Sequence, residues 1–154
     1  MSNVYRYRWG DYNPGKIEKT GTVAIESGEM IKVVGTNGRV QAVSASTDAT
    51  SLLGVAIGAS PATDPTATQF SYLPLDGDTV FEFAISSAAK LKFGQPLVIS
   101  DAETLAVYGT AGTNLNVSST NVVGYVSESM DETASVCLVR FLSSKYKAQI
   151  TDQG

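Results

Sequence analysis

Ile25-Glu26-Ser27-Gly28-Glu29-Met30-Ile31-Lys32-Val33 is echoed 66 residues later by Leu91-Lys92-Phe93-Gly94-Gln95-Pro96-Leu97-Val98-Ile99. Both stretches read apolar, polar, any, Gly, Glu or Gln, any, apolar, any, apolar. A glycine stands where a turn must feed a strand, and the apolar residues behind it alternate as a half-buried strand requires. The residues after each copy match as well. After the first come Asn37-Gly38, Arg39 to Val43 and Leu52-Leu53-Gly54-Val55-Ala56; after the second come Asp101 to Glu103, Thr104 to Tyr108 and Val122-Val123-Gly124-Tyr125-Val126. Strand, tight turn, strand, loop and third strand recur in one order. The body therefore reads as a duplicated domain over residues 21–142, with halves of about 21–85 and 86–142. An extended arm over residues 1–20 precedes it, and a polar tail occupies 143–154.

Working outward from the repeat, Asn37-Gly38 predicts a type I′ hairpin turn between Ile31–Val34 and Arg39–Val43. Gly28, Gly38 and Gly94 are the expected structural turn glycines. Gly54 and Gly58, in or beside the strand Leu52 to Ile57, suggest a bulge or a close backbone approach. Ala59 to Thr68, rich in Pro, Thr and Ala, predicts a long irregular connection, with a short strand at Phe70 to Leu73. In Val80 to Ile85, Phe81, Phe83 and Ile85 are expected to face the core and Val80, Glu82 and Ala84 the other side. Ser86 to Lys90 alone has helical character. About eight strands with hardly any helix imply an all-β chain, an antiparallel barrel or small sandwich built from two related halves.

Composition supports that reading. The chain has 154 residues, of which 43% are hydrophobic and 17% charged, the balance of a globular domain with a single sizeable core. A net charge of −4 argues against a surface built to neutralise phosphates. There is no histidine, which removes the usual general base, metal ligand and pH switch. The single cysteine, Cys137, sits in the apolar run Val136 to Val139 and reads as a buried small hydrophobe, with no intrachain disulfide to form. The N-terminus lacks the apolar segment of a signal peptide, and no apolar run approaches the roughly 20 residues that cross a bilayer. The chain is expected to be made in the cytoplasm and to stay soluble.

Chemistry-bearing patterns are sparse. Gly109-Thr110-Ala111-Gly112-Thr113 lacks the lysine of a P-loop. Asp76, Asp78 and Glu82 lack the alternating oxygen ligands of a calcium loop and read as a solvated turn. Asp101 with Glu103, and Asp131 with Glu132, sit at hairpin tips rather than across a cleft. A serine nucleophile would have only lysine as its base, and Lys90 and Lys92 beside Ser86 and Ser87 are the pair to test. No cofactor or metal site, and no enzyme, is expected from these residues.

In the arm, Tyr5, Tyr7 and Trp9 alternate with Arg6 and Arg8, Tyr12 comes next, and Pro14-Gly15 breaks the line. An extended strand puts the three aromatics on one face and the arginines on the other. That strand could pair at the edge of its own barrel with its aromatics against the core. It could instead add itself to a neighbour or a large partner, with the aromatics as anchors. The second reading is preferred because the duplicated body is complete without the arm. Stacking on single-stranded nucleic acid suits the residue types, but the acidic balance and the lack of another basic cluster weigh against it.

Val80 to Ile85 leading through Ser86-Ser87-Ala88 into Leu91 to Leu97, together with Ile25 to Glu29 and the later Val123-Gly124-Tyr125-Val126, resembles the head decoration, or capsid cement, proteins of tailed bacteriophages. The resemblance covers roughly Gly21 to Leu142. It implies a small tulip-like β-barrel that assembles as a homotrimer on the outer capsid surface of the virion, with an arm of Tyr5, Arg6, Tyr7, Arg8, Trp9 and Tyr12 contacting the major capsid protein. The function it implies is non-enzymatic stabilisation of the shell, with no nucleic acid, membrane or cofactor involved. A tail or baseplate β-module of a virion is the alternative, and a ligand-binding or hydrolytic barrel a more distant one.

Overall fold

The computed structural model describes residues 7–10, 14–21, 23–34, 38–61, 63–66, 68–75, 77–108 and 121–142, with Trp9 described by its backbone alone. Its described residues form eleven strands and one 3₁₀ helix, Ser46–Ser51. The strands are β1 (Tyr7–Trp9), β2 (Gly15–Glu18), β3 (Met30–Val34), β4 (Arg39–Ala42), β5 (Leu52–Ala56), β6 (Gln69–Pro74), β7 (Val80–Ala89), β8 (Pro96–Asp101), β9 (Thr104–Val107), β10 (Val122–Val126) and β11 (Ala134–Phe141).

One sheet runs β2-β6-β5-β3-β4 and the other β1-β7-β11-β10-β8-β9, with β9 also pairing with β7. Apart from β1, the second order is the first with each strand replaced by the strand five places later. The second sheet closes into a five-stranded barrel through the parallel pairs Ala84↔Thr104 and Ile85↔Leu105. The first approaches the same closure with one parallel bridge, Lys19↔Val40, flanked by an Arg39–Glu18 ion pair at 3.5 Å. The antiparallel expectation therefore holds for every named pair of strands but the closing one.

The glycine repeat has one geometry in both copies. Gly28 and Gly94 take φ of 92° and 88°, at the third position of turns in which Glu29 N donates to Glu26 O and Gln95 N to Lys92 O. In each, the fourth side chain reaches back to accept the first residue's amide: Glu26 N to Glu29 Oε1 at 2.7 Å, Lys92 N to Gln95 Oε1 at 2.8 Å. Each turn then docks on its third strand, Gly28 N donating to Ala56 O and Gly94 N to Val126 O. A residue that is Glu in one copy and Gln in the other serves both, because only an acceptor oxygen is needed.

Three expectations shift. Ser86–Ala89 is strand rather than helix: β7 bulges here, with Ala84 opposite Val136 but Ala89 opposite Ala134, and Ala84 and Ile85 at the start of the bulge also pair with β9. Pairing with two neighbours outweighs a weak local helical preference. The cut at residues 85 and 86 consequently falls inside β7, while Gly15–Glu18, assigned to the arm, is a strand of the first sheet paired with β6. The β3–β4 hairpin has Val34 opposite Arg39 as its last pair, so its connection spans residues 35–38 rather than the two of a type I′ turn. Gly38 does take a positive φ of 74°, while Asn37 lies outside the described residues.

The barrel is too narrow for a lumen and is filled by side chains. Phe141 packs edge-on against Phe81 and Phe83, each at 5.6 Å between ring centroids, among Leu97, Ile99, Leu105 and Val139. Full burial of each of these side chains contributes roughly 1.5–3 kcal/mol. Phe81, Phe83 and Ile85 face this core as the alternation requires, and Val80, at the start of β7, is buried too. Met30, Leu52, Val55 and Leu73 of the first sheet join the same core, whereas Ile25, Ile31, Val40, Ala56 and Phe70 form a second cluster. Adjacent residues Met30 and Ile31 thus serve different cores, which is why β3 opens with two fully buried residues.

Candidate functional site

β1 lies outside the repeated strand order. It runs antiparallel to β7, with Tyr7 opposite Phe81 and Trp9 opposite Val80. Tyr7 is half-buried against the main core and donates its hydroxyl to Gly10 O at 2.7 Å. Arg8 points the other way and pairs with Glu82, its Nε donating to Oε1 at 2.7 Å. That pair is solvent-exposed and adds at most about 1 kcal/mol. Tyr7 and Arg8 point to opposite faces, but the register shifts between Tyr7 and Trp9, and both residues contact their own barrel, so here the strand pairs at the barrel's own edge rather than reaching out as the preferred reading expected. Tyr5, Arg6 and Tyr12 lie outside the described residues.

Beside β1, Arg8, Glu82, Met130, Val136 and Leu138 line a shallow, mainly apolar groove of about 240 Å³ on the outer face of β7 and β11. Cys137, between two of these residues, points inward. It is buried, and burial pushes its thiol up to about 12, so it behaves as the small hydrophobe its neighbours suggest.

Ser86, Ser87 and Lys90 share a separate pocket of about 240 Å³ with Gln95 at the bulge of β7. All but Gln95 of these four are exposed, and Lys92 is not among its lining residues. No hydrogen bond joins either lysine to a serine among the described residues. Of the calcium candidates, Glu82 is committed to Arg8, the backbone oxygen of Asp78 accepts a bond from Arg140, and Asp76 is not described. Asp131 and Glu132 are exposed at their turn.

The tertiary structure gathers two groups that residue spacing does not. The first is acidic: carboxylate oxygens of Glu26, Glu29 and Glu103 lie within 4.8 Å of one another where the first repeat turn meets the β8–β9 turn. The two turns are joined by Met30 N donating to Ala102 O at 2.8 Å. Burial raises the Glu29 carboxyl above its ordinary value, assisted by Glu103, Glu26 and Asp101 against the lowering bond from the Glu26 amide. Such a group stabilises the fold most below the ordinary Glu range, and that contribution is lost as pH rises through its raised value. Asp48 acts in the opposite sense at lower pH. Burial pulls its carboxyl upward, but bonds from Lys32, Ser44 N and Ala45 N prevail and lower it, so its contribution is lost only below the ordinary Asp range. Glu29→Gln retains the turn's acceptor, as Gln95 shows, and removes the charge. Thermal unfolding of this variant should give a higher Tm than wild type at about pH 7, with the difference closing as pH falls towards the ordinary Glu value of about 4.5. A constant difference across that range would contradict the assignment.

The second group surrounds Lys19, which is fully buried just after β2. Its ammonium donates to Pro61 O at 2.7 Å and Asp64 O at 3.2 Å, fixing the connection between β5 and β6 from below. Nothing in Glu18-Lys19-Thr20 distinguishes this lysine from a solvated one.

No family model matches the chain, and no curated protein matches it in sequence. Among solved structures, the N base of the head fiber gp8.5 of bacteriophage phi29 is similar, at a TM-score of 0.49 and 14% identity over 86% of this chain and 98% of that one. A likeness of that size carries no weight on function.

Proposed function

We propose that this is a non-enzymatic structural protein of a phage virion, which binds the outside of the capsid as an oligomer and stabilises the shell. The resemblance of the repeat and of Val80 to Leu97 to capsid decoration proteins supports the class. The observation that carries the reading is β1. Two filled sheets of one strand order form the scaffold, and this aromatic and basic strand is the addition to it, paired with the start of β7 with Arg8 at an apolar groove. Its partners on this reading are the major capsid protein and sister subunits in a homotrimer. Holding three arms in register converts weak docking into avidity gains of about 10² to 10⁴ without a new kind of contact.

The test is co-sedimentation with phage heads lacking this protein. Because Gly15–Glu18 belongs to the sheet, the deletion stops before it and removes residues 1–9. The truncated chain should keep its β-type circular dichroism and lose at least about 10² in apparent affinity. Equal occupancy by truncated and full-length chains would end the assignment of docking to the arm. Gold-labelled particles decorated on the tail instead of the head would replace the capsid with a tail partner.

A further inference from the structure

The same 66 residues that separate Ile25 from Leu91 separate Lys19 from Ile85, which make the equivalent parallel bridges to Val40 and Leu105. Gly15, Lys16 and Ile17 of β2 therefore correspond to Phe81, Glu82 and Phe83 of β7, and Gly15↔Tyr72 and Phe81↔Val139 hold equivalent places against β6 and β11. On the side away from β11, β7 is shared: β9 takes Ala84 and Ile85, while β1 takes Val80 and Phe81, with Arg8 bonded to Glu82. On the equivalent side of β2, Val40 takes Lys19, and among the described residues no strand holds the place of β1.

Backbone directions show what this edge presents. Ser71, opposite Lys16, accepts from the amides of Ile57 and Gly58 on its other side, so its backbone groups face away from β2 and the pair exchanges no bonds. Further along, Lys19 N donates towards β6, to Thr68 O, and Thr20 N donates towards β4, to Val40 O. Amide directions alternate along a strand, which puts the N–H and C=O of Lys16 on the outer edge, the side that Thr20 uses. The Lys16 side chain is exposed and forms no ion pair among the described residues, whereas Ile17 packs against the second apolar cluster.

We infer that the outer edge of β2 at Lys16 is a docking site for an extended segment of another protein, one that carries a carboxylate where β1 carries Arg8. The pairing of β1 with β7 is the pattern within the same chain: a three-residue strand on an edge, with one ion pair on the outer face. At β2 the charges are reversed, because Lys16 stands where β7 has Glu82. Backbone bonds supply the attachment and the ion pair selects the partner. A second copy's β1 would set Arg8 against Lys16, like charge against like, which disfavours self-association at this edge. The site rests on the repeat and not on the capsid role.

The test is a nuclear magnetic resonance titration of the isotope-labelled full-length chain with two peptides: Val4 to Gly10 of its own sequence, and the same peptide with Arg6→Glu/Arg8→Glu. Before any addition, the Lys16 amide should exchange with solvent at least about tenfold faster than the Ile17 amide, which faces β6. The charge-reversed peptide should shift the Lys16 resonance and bind at least about threefold more tightly than the native one, and Lys16→Glu, at unchanged Tm, should reverse that order. A Lys16 amide as protected as that of Ile17 overturns the open edge. Response to neither peptide, or to both alike, overturns the docking site and leaves Lys16 as a charge that keeps other strands away. A solution mass that rises with concentration in wild type but not in Lys16→Glu also overturns it, by giving the edge to a second copy.

Discussion

Gly54→Ala and Gly124→Ala are each expected to destabilise the protein severely, by about 3 kcal/mol or more, which for a chain of this size lowers Tm by roughly 6–12 °C or more. The two glycines hold equivalent places in β5 and β10. A Cβ on Gly54 would lie 2.3 Å from Leu73 O, and one on Gly124 would lie 2.6 Å from Arg140 O. Those oxygens belong to the backbones of β6 and β11, so no rotamer change relieves the contact. Either β5–β6 and β10–β11 separate, or the strand tilts and its buried neighbours move. Gly38→Ala is the control. A Cβ there meets nothing within 4 Å, and only the left-handed φ of 74° is penalised, at roughly 1 kcal/mol. Thermal melts of the three variants separate steric exclusion from conformational preference. Alanine at 54 or 124 melting no earlier than alanine at 38 would show that the close approach of the strands has been misassigned.

The second large effect is expected at Lys19. Lys19→Met keeps much of the stem's volume and removes the ammonium, leaving the Pro61 and Asp64 carbonyls without their donor. The expected loss is about 2–3 kcal/mol, or roughly 4–12 °C. Its location matters more than its size. Faster hydrogen exchange should be confined to the amides of Asp64, Thr68 and Ser60, with the amides of β8, β10 and β11 as protected as in wild type. Exchange that rises uniformly over both sheets would make Lys19 a general core residue rather than the anchor of one loop.

Much of this architecture is legible in the residues because its defining signals are local. A glycine at the third position of a four-residue turn, an acceptor side chain at the fourth and alternation behind it are read within nine residues, and they hold in both copies. Gly54 is readable as a site of close approach because a glycine amid Leu, Val and Ala has little other reason to be there. The acidic group of Glu26, Glu29 and Glu103 is not readable, since Glu103 stands in the other repeat unit and meets Glu26 and Glu29 only when the turns pack. Lys19 is invisible for a related reason: a lysine is solvated unless something covers it, and what covers this one begins more than forty residues away. Ser86 to Lys90 misleads because its two alanines and its lysine suit a helix when judged by neighbours alone.

What the sequence by itself determined is the all-β class, the pair of related units and the glycines at their turns, because backbone conformation at a turn depends on residues in direct succession. What only the tertiary structure decided is where one unit ends, that β9 closes the barrel against β7 in parallel, that β1 lies along its own barrel, and which lysine is buried. Those outcomes depend on backbone groups far apart in the chain competing for the same partners. That competition is settled by which set of pairings buries the most apolar surface with every buried hydrogen-bonding group satisfied.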